Sequence, residues 1–388
     1  MREILVLCPQ ERDRRAVRDA GLEDRYAVRF VGSDLDTLES FDPAAALREW
    51  ESEPADAVVA TKDQSALLAS VLAERRGLPG PSPQAVLACQ HKPTARAVQA
   101  RVAPEATPRF ALLDSRPPLP YPFFVKPVVG RLSQDAHRIE GQEDLLRLPE
   151  SGHDADRYAE IAAVAGVEPP SVRGFIAEEL LAGGEVTLEG YVHGGRVTVV
   201  GVTDSVKYPG TDSFERFEYP SALSAERLAE LADVSARVLP ALGFDGGFFN
   251  VEFFVPDEGS VRIVEVNARI ASQFTPLVLR LHGRSTYDAL FRLALGEDPE
   301  WEPGEPDGVA VSYALRAFED AFVEAVPEPK DDLEVLVRPG LRLSEQGVND
   351  ARSYRLAIFT EFGETREEAV ARSRDRARAL SFRLAPPR

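Results

Sequence analysis

Two runs of alternating residues, Phe248–Pro256 and Val261–Asn267, flank the tetrapeptide Asp257-Glu258-Gly259-Ser260. Such a pattern reads as a β-hairpin. A symmetric turn about Glu258-Gly259 sets Glu252 opposite Glu265 and Asn250 opposite Asn267. All four side chains then share one face, because strand side chains alternate. Like charges directly opposite each other destabilise a ladder. At about 5 Å and an effective dielectric near 20, two unit charges repel by about 3 kcal/mol. A cation between the carboxylates or a proton on one of them relieves this; the plain alternatives are an exposed hairpin face with ordinary glutamates or a slip in register. Two carboxylates and an amide oxygen are hard ligands that suit a Mg²⁺ ion keeping its waters and bridging phosphates. Phe248 and Phe254 fall on the same face and would bury part of it.

The rest of the composition narrows the partners. The 388-residue chain carries 45 basic and 64 acidic residues, a formal net charge of -19. Such a field repels nucleic acid and anionic membranes, so neither is expected as a partner. It also repels any polyanionic ligand, so a phosphate site here needs local cations. Only five basic residues are lysines: Lys62, Lys92, Lys126, Lys207 and Lys330. Lysine is a compact point charge suited to phosphate. Cys8 and Cys89 are too few for a disulfide framework and read as buried packing residues. Ile4–Cys8 is too short for a signal or membrane segment. A reducing, cytoplasmic location is the resulting expectation.

Alternation of short apolar strands (Ile4–Cys8, Tyr26–Val31, Ala57–Ala60) with helices (near Glu11–Ala20 and Ser65–Arg76) implies a parallel sheet over residues 1–100. Ser82-Pro83 opens another helix, and Pro93 interrupts it after His91-Lys92. Pro104–Pro122 reads as a linker carrying a strand at Arg109–Leu113. Further strands are expected at Phe123–Val129, Phe175–Leu180, Val186–His193 and Val197–Val202, with a polar helical region around Glu143–Glu160. A last unit, 305–388, holds strands at Val309–Phe318, Glu334–Val337 and Tyr354–Phe359, then a helix with Thr365 and Glu368 at capping-box spacing. The stretch from Lys207 to Tyr219 reads as long and irregular, and Lys207 with Phe214, Phe217 and Tyr219 is expected to form a lid. The chain contains no G-x-G-x-x-G after the first strand, no Walker A loop, no G-x-S-x-G and no zinc spacing among its five histidines.

Glu252 followed by Glu265-Val266-Asn267-Ala268-Arg269 resembles the metal-binding E…E-x-N-x-R signature of ATP-grasp ligases. Other segments fall into that superfamily's order. Lys92 in His91-Lys92-Pro93 and Lys126 in Phe123-Phe124-Val125-Lys126-Pro127 resemble its two phosphate lysines. Phe175–Leu181, with Gly183-Gly184-Glu185, resembles its adenine hinge. The resemblance covers about residues 85–295. It implies an α/β (α+β) chain: a Rossmann-like preATP-grasp domain (1–100), an ATP-grasp domain (101–300) and a small C-terminal α+β domain (305–388). It also implies Mg²⁺ or Mn²⁺ on Glu252, Glu265 and Asn267. ATP would meet Lys92, Lys126, Ser133, Glu178, Glu179, Leu181 and Glu185, and Arg269 would clamp a phosphate or carboxylate. Lys207 is a second candidate catalytic residue.

Members of this superfamily phosphorylate a carboxylate with ATP and let a nucleophile attack the acyl phosphate. The implied activity is carboxylate–amine ligation on small molecules, with a homodimer as a candidate assembly. Two alternatives stand beside it: a biotin-carboxylase-like enzyme using bicarbonate, which the C-terminal segment from Gly363 favours, and a non-catalytic ATP-binding protein. Two departures from the superfamily pattern stand out. The phosphate loop has one glycine and one serine, Gly130 and Ser133, so Arg131 is a candidate substitute contact. Asn250 stands where dipeptide-type ligases often carry arginine, which argues against a D-alanine-ligase-like reaction.

Overall fold

The N-terminal alternation folds as a three-stranded parallel sheet. Arg2–Leu7 (β1), Tyr26–Val31 (β2) and Ala57–Val59 (β3) pair in the order β2-β1-β3. The structure is a computed structural model and describes residues 1–113, 117–130, 135–166, 171–302, 304–328, 330, 332–346, 349–350 and 353–386. The run Ile4-Leu5-Val6-Leu7 is apolar throughout because both faces of β1 are covered: Leu5 and Leu7 join one core cluster, Ile4 and Val6 another. Helix Asp63–Arg75 is buried from Asp63 to Ala73. Cys8 and Cys89 are free and buried, and burial first, then Asp34, pushes the Cys8 thiol up to about 12.

His91 joins two helices. It ends Pro83–Gln90 and, through Nδ1 accepting from the Thr94 amide at 3.3 Å, starts Lys92–Val102. Pro93 sits in the first turn of the second helix, where its missing N–H costs nothing. Lys92 is thereby fixed at a helix start.

Phe110–Leu112 (β4), Phe123–Pro127 (β5), His137–Ile139 (β6) and Phe175–Glu179 (β7) form an antiparallel sheet in the order β4-β7-β5-β6. Phe123, Val125, Phe175 and Ala177 make its small core with Ile139. Period-two alternation places Lys126 and Glu178 on the opposite face.

The largest sheet holds Gly184–His193 (β8), Arg196–Lys207 (β9), Phe214–Tyr219 (β10), Gly247–Val255 (β11), Arg262–Asn267 (β12) and Val309–Ala317 (β13). Phe322–Ala325 (β14) lies outside it, while Leu333–Val335 (β15), Asn349–Asp350 (β16) and Ser353–Gly363 (β17) extend it. The order is β12-β11-β8-β9-β10-β13-β17-β15, with β16 also on β17. Arg383–Ala385 (β18) pairs with β14. This sheet therefore spans the expected boundary between 101–300 and 305–388, because β10 pairs with β13. One face is apolar: Leu188, Val202, Phe249, Val251 and Phe253 share a core with Leu231, Val234, Val238 and Leu239 of helix Ala225–Ala241. The other face carries the acidic residues at one end and, at the other, Tyr191 and Phe248, which join a second core with Leu277, Val278 and Phe291.

One expectation is corrected. The stretch after Lys207 is no irregular lid. β9 runs to Lys207, β10 starts at Phe214, and only 208–213 connect them. The ladder from Phe214–Lys207 to Glu218–Asp204 satisfies the backbone groups that a free loop would leave to water. At the C-terminal helix Arg366–Ala379, Thr365 Oγ1 accepts from the Glu368 amide at 3.2 Å, as its spacing predicts. Glu368, however, reaches the amide of Glu364, one residue before the cap, at 2.8 Å.

Candidate active site

The hairpin β11–β12 brings the four expected residues together. Asn250 pairs with Asn267 and Glu252 with Glu265. The route to that register differs from a plain symmetric turn, which would set Val264 opposite Phe253. The ladder slips between Glu252 and Phe253, so Phe253 faces Ile263 and Phe254 faces Arg262. Val264 is left out of the pairing, and its carbonyl is free of the ladder. That oxygen accepts from Lys126 Nζ at 2.9 Å and from Arg96 Nη2 at 2.8 Å. A one-residue bulge thus anchors both cations to the acidic hairpin.

Asn267 Nδ2 donates to Asn250 Oδ1 at 2.9 Å and to Glu252 Oε1 at 3.2 Å. Its Oδ1 accepts no hydrogen bond among the described residues. Lys92 Nζ lies 3.3 Å from Glu265 Oε1 and donates to the Gly130 carbonyl at 3.1 Å. Burial first, then the charges of Glu265 and Glu185, push the Glu252 carboxyl well above the ordinary range. Among the described residues no three His, Cys, Asp or Glu side chains cluster as a metal site. The donor set is two carboxylates and an unspent amide oxygen. It fits a hard ion that draws its remaining ligands from water and phosphate, and the raised Glu252 carboxyl marks where such an ion would take the place of a proton.

On the facing sheet, Lys126 and Glu178 form an ion pair at 2.9 Å. Glu178 also receives Arg96 in two-pronged fashion, Nε at 2.7 Å and Nη2 at 3.1 Å, and is only 3% exposed. Its carboxylate is therefore committed to cations, which leaves backbone at Glu179 to Leu181 as the strand-end donor and acceptor pair. Burial alone would raise Glu178, but Arg96 and Lys126 together hold it down at about 2. The Glu179 side chain points to the sheet edge, accepting from the Arg109 amide at 2.9 Å and Nε at 2.7 Å. Leu181 is half-buried in the connection to β8. Glu185 opens β8 and pairs with Lys207 Nζ at 3.1 Å. That ammonium also lies 5.3 Å from the Phe254 ring centre and 5.6 Å from that of Phe214. Arg131 and Ser133 lie outside the described residues.

Arg269 follows the hairpin directly. Its Nε binds Asp63 Oδ1 at 2.9 Å, so the N-terminal sheet's third helix supplies the counter-charge. The backbone here is held at Arg269 and again at Ala271. Asn250 Nδ2 donates to the Arg269 carbonyl at 3.1 Å, and the Ala271 amide donates to Glu189 Oε1 at 2.6 Å. Glu189 and Asn250 are cross-strand partners. Burial first pushes the Glu189 carboxyl up to about 8, against the pull of the Ala271 amide and Arg269.

Sequence reasoning missed Arg96, Asp63 and Glu189. Two of the three left a signal. Arg96 stands four residues after Lys92 on one helix, hence on the same face. Glu185, Thr187 and Glu189 alternate along β8 and share the face of Glu252. Asp63 left none, because its contact crosses from one sheet to another.

Residues 119–276 match the family model of the ATP-grasp domain. No curated protein sequence matches the chain. Among solved structures, the chain is similar to an L-amino acid ligase from Bacillus licheniformis at 19% identity, covering 99% of this chain and 98% of that one, with a TM-score of 0.76. It is also similar to a phosphoribosylglycinamide synthetase from Anaerococcus prevotii (14% identity, 99% of each chain, TM-score 0.67). A biotin carboxylase from Campylobacter jejuni is similar as well, at 14% identity over 99% of this chain and 92% of that one, with a TM-score of 0.67. At these identities the likeness shows the fold alone, and the match to the ATP-grasp domain model is confined to residues 119–276. Among the described residues no helix is long and apolar enough to cross a membrane.

Proposed function

We propose, from the premise that this chain carries an ATP-grasp domain, that it is an ATP-dependent ligase joining a small-molecule carboxylate to an amine through an acyl phosphate. The observation that carries this reading is the meeting of Lys92, Lys126, Glu252, Glu265, Asn267 and Arg269 from separate elements. ATP lies between the two sheets, its base against the backbone of Glu179 to Leu181 and its ribose near Glu185. Lys92 and Lys126 bind its phosphates, and neutralising them offsets the chain's overall repulsion of ATP. Glu252, Glu265 and Asn267 would hold Mg²⁺ or Mn²⁺. When bound, that ion neutralises phosphate charge and orients the γ-phosphoryl group.

In the first step a carboxylate oxygen attacks the γ-phosphorus. The bond to the bridging oxygen breaks and ADP leaves. In the second step an amine nitrogen attacks the acyl carbon, phosphate departs, and the amine loses a proton. Arg269, its carbonyl held by Asn250 and the following Ala271 amide by Glu189, meets the transferring group or the substrate carboxylate. Lys207, paired with Glu185, stands at the same face as a second cation. The protein's task is positioning and charge neutralisation. The L-amino acid ligase with the similar fold favours an amino acid as the carboxylate. A cytoplasmic location and a homodimer belong to the same proposal. The Hydrogenobacter thermophilus biotin carboxylase domain of similar fold is described as a dimer.

The test incubates the protein with Mg-ATP, hydroxylamine and single amino acids, reading hydroxamate and ADP. Both should form, and Glu265→Gln should abolish them while leaving the melting temperature near that of wild type. Turnover retained in Glu265→Gln would refute the metal assignment. ADP release with bicarbonate alone would replace ligation by N-carboxylation. Binding of ATP with no ADP under any condition would leave a nucleotide-binding protein without catalysis.

A further inference from the structure

Cross-strand pairing defines what stands on the polar face beyond the acid pair. The row through Glu252 continues to Thr187 on β8 and Thr203 on β9. The next row joins Phe254, Glu185, Ser205, Phe217, Ser312 and Thr360. Between the acidic hairpin and Phe217 the face therefore carries mainly small hydroxyl side chains. Strand spacing puts Phe217 about 10 Å from the backbone of Glu185, two strands away. There the character changes. Phe217 lies 5.2 Å, centre to centre, from both Phe214 and Phe274. Phe274 ends the segment that begins at Arg269, so the wall beside this aromatic group is the same chain that carries the clamp arginine. Lys207 lies over Phe214 and Phe254. Phe214, Phe217 and Phe254 stay half-buried, while Leu188, Val251 and Phe253 on the other face are fully buried.

Half-covered rings beside charged groups, where the small hydroxyl residues of this end give way to the second core that holds Tyr219 and Phe274, call for an apolar occupant. Resting on the ligase reading above, we infer that the carboxylate substrate is an amino acid with a large apolar or aromatic side chain, which packs on Phe217 between Phe214 and Phe274. Thr187, Thr203 and Ser205 leave room for the carboxylate and the incoming phosphoryl group, and Gln273, held to Ser312 Oγ at 3.0 Å, closes the polar side. A short or charged side chain would leave the rings wet, or strip solvent from a charge with no partner.

The experiment compares hydroxamate formation from L-phenylalanine, L-leucine, L-alanine, L-serine and L-aspartate with Mg-ATP. The expected result is a kcat/KM for phenylalanine or leucine at least tenfold above alanine, serine and aspartate. Phe217→Ser should lower that preference at least tenfold while the KM for ATP stays within twofold. Phe217→Leu, which keeps an apolar surface and the fold, should retain preference for leucine and lose it for phenylalanine. Wild-type turnover that favours serine, aspartate or alanine would overturn the inference and leave the ligase reading standing. A preference unchanged in both Phe217 variants would overturn it equally. ADP release supported by bicarbonate and by no amino acid would overturn both.

Discussion

Replacing Arg96 by methionine keeps an apolar stem of similar reach and removes the guanidinium. In the folded chain that group binds Glu178 through Nε and Nη2, the Val264 carbonyl through Nη2 and Gln99 through Nη1. Arg96 is 2% and Glu178 3% exposed, so water does not take over the lost contacts. Removing one partner of a buried ion pair costs about 3–5 kcal/mol. Lys126 remains 2.9 Å from Glu178 as a second cation, which puts the expectation near the lower end, about 3 kcal/mol. That is a large share of the roughly 5–15 kcal/mol that holds a native protein together. The pH dependence gives a second handle. The Glu178 carboxyl is held down from its ordinary 4.5 to about 2. Its stabilisation is therefore present above pH 4.5 and lost as pH falls from there toward about 2. Urea denaturation followed by tryptophan fluorescence, at pH 7 and at pH 3, measures both. Arg96→Met should lose about 3 kcal/mol at pH 7 and distinctly less at pH 3, where the unfolded chain and the variant protonate Glu178 while the native wild type still keeps it ionised at a cost in stability. A loss below about 1 kcal/mol at pH 7, or an equal loss at both, would refute the view that this triad joins the sheets.

Glu189 predicts the opposite pH trend. Its carboxyl is raised from 4.5 to about 8, so the native state holds an extra proton across that window and stability falls as pH rises through it. Glu189→Gln still accepts the Ala271 amide, and should melt higher than wild type at pH 9 by about 2–5 kcal/mol of stability and alike near pH 4; parallel curves would rule this out. Gly183 has φ +121, and a Cβ there would stand 2.3 Å from the Val255 carbonyl oxygen. Gly183→Ala should cost about 1–3 kcal/mol and weaken ATP binding by displacing the start of β8. Unchanged melting and unchanged nucleotide affinity would count against that close approach.

Much of the site is local in origin, and that part could be read from the chain. The hairpin announces itself by period-two alternation around a glycine turn, so Glu252 and Glu265 were placed face to face before any fold was known. His91-Lys92-Pro93 marks a helix start by capping chemistry alone. Even there a success hid a compensation: the pairing at Glu252 is right only because the bulge at Val264 shifts the ladder by one, and bulges leave no dependable trace in alternation. The lid expected after Lys207 failed for a related reason. Its polar and aromatic residues look irregular as a string, but their backbone groups find partners on β9.

The sequence by itself determined the strand and helix periodicities, the position of the hairpin turn and the order of acidic and basic residues along the chain, because these depend on neighbours a few residues apart. Tertiary structure alone decided which charges meet: Asp63 with Arg269, 206 residues apart, and Arg96 with Glu178, 82 apart. A charge's partner is set by distance in space and by how much water is removed around the pair. Neither quantity is encoded by spacing in the chain, only by the packing of one sheet against another.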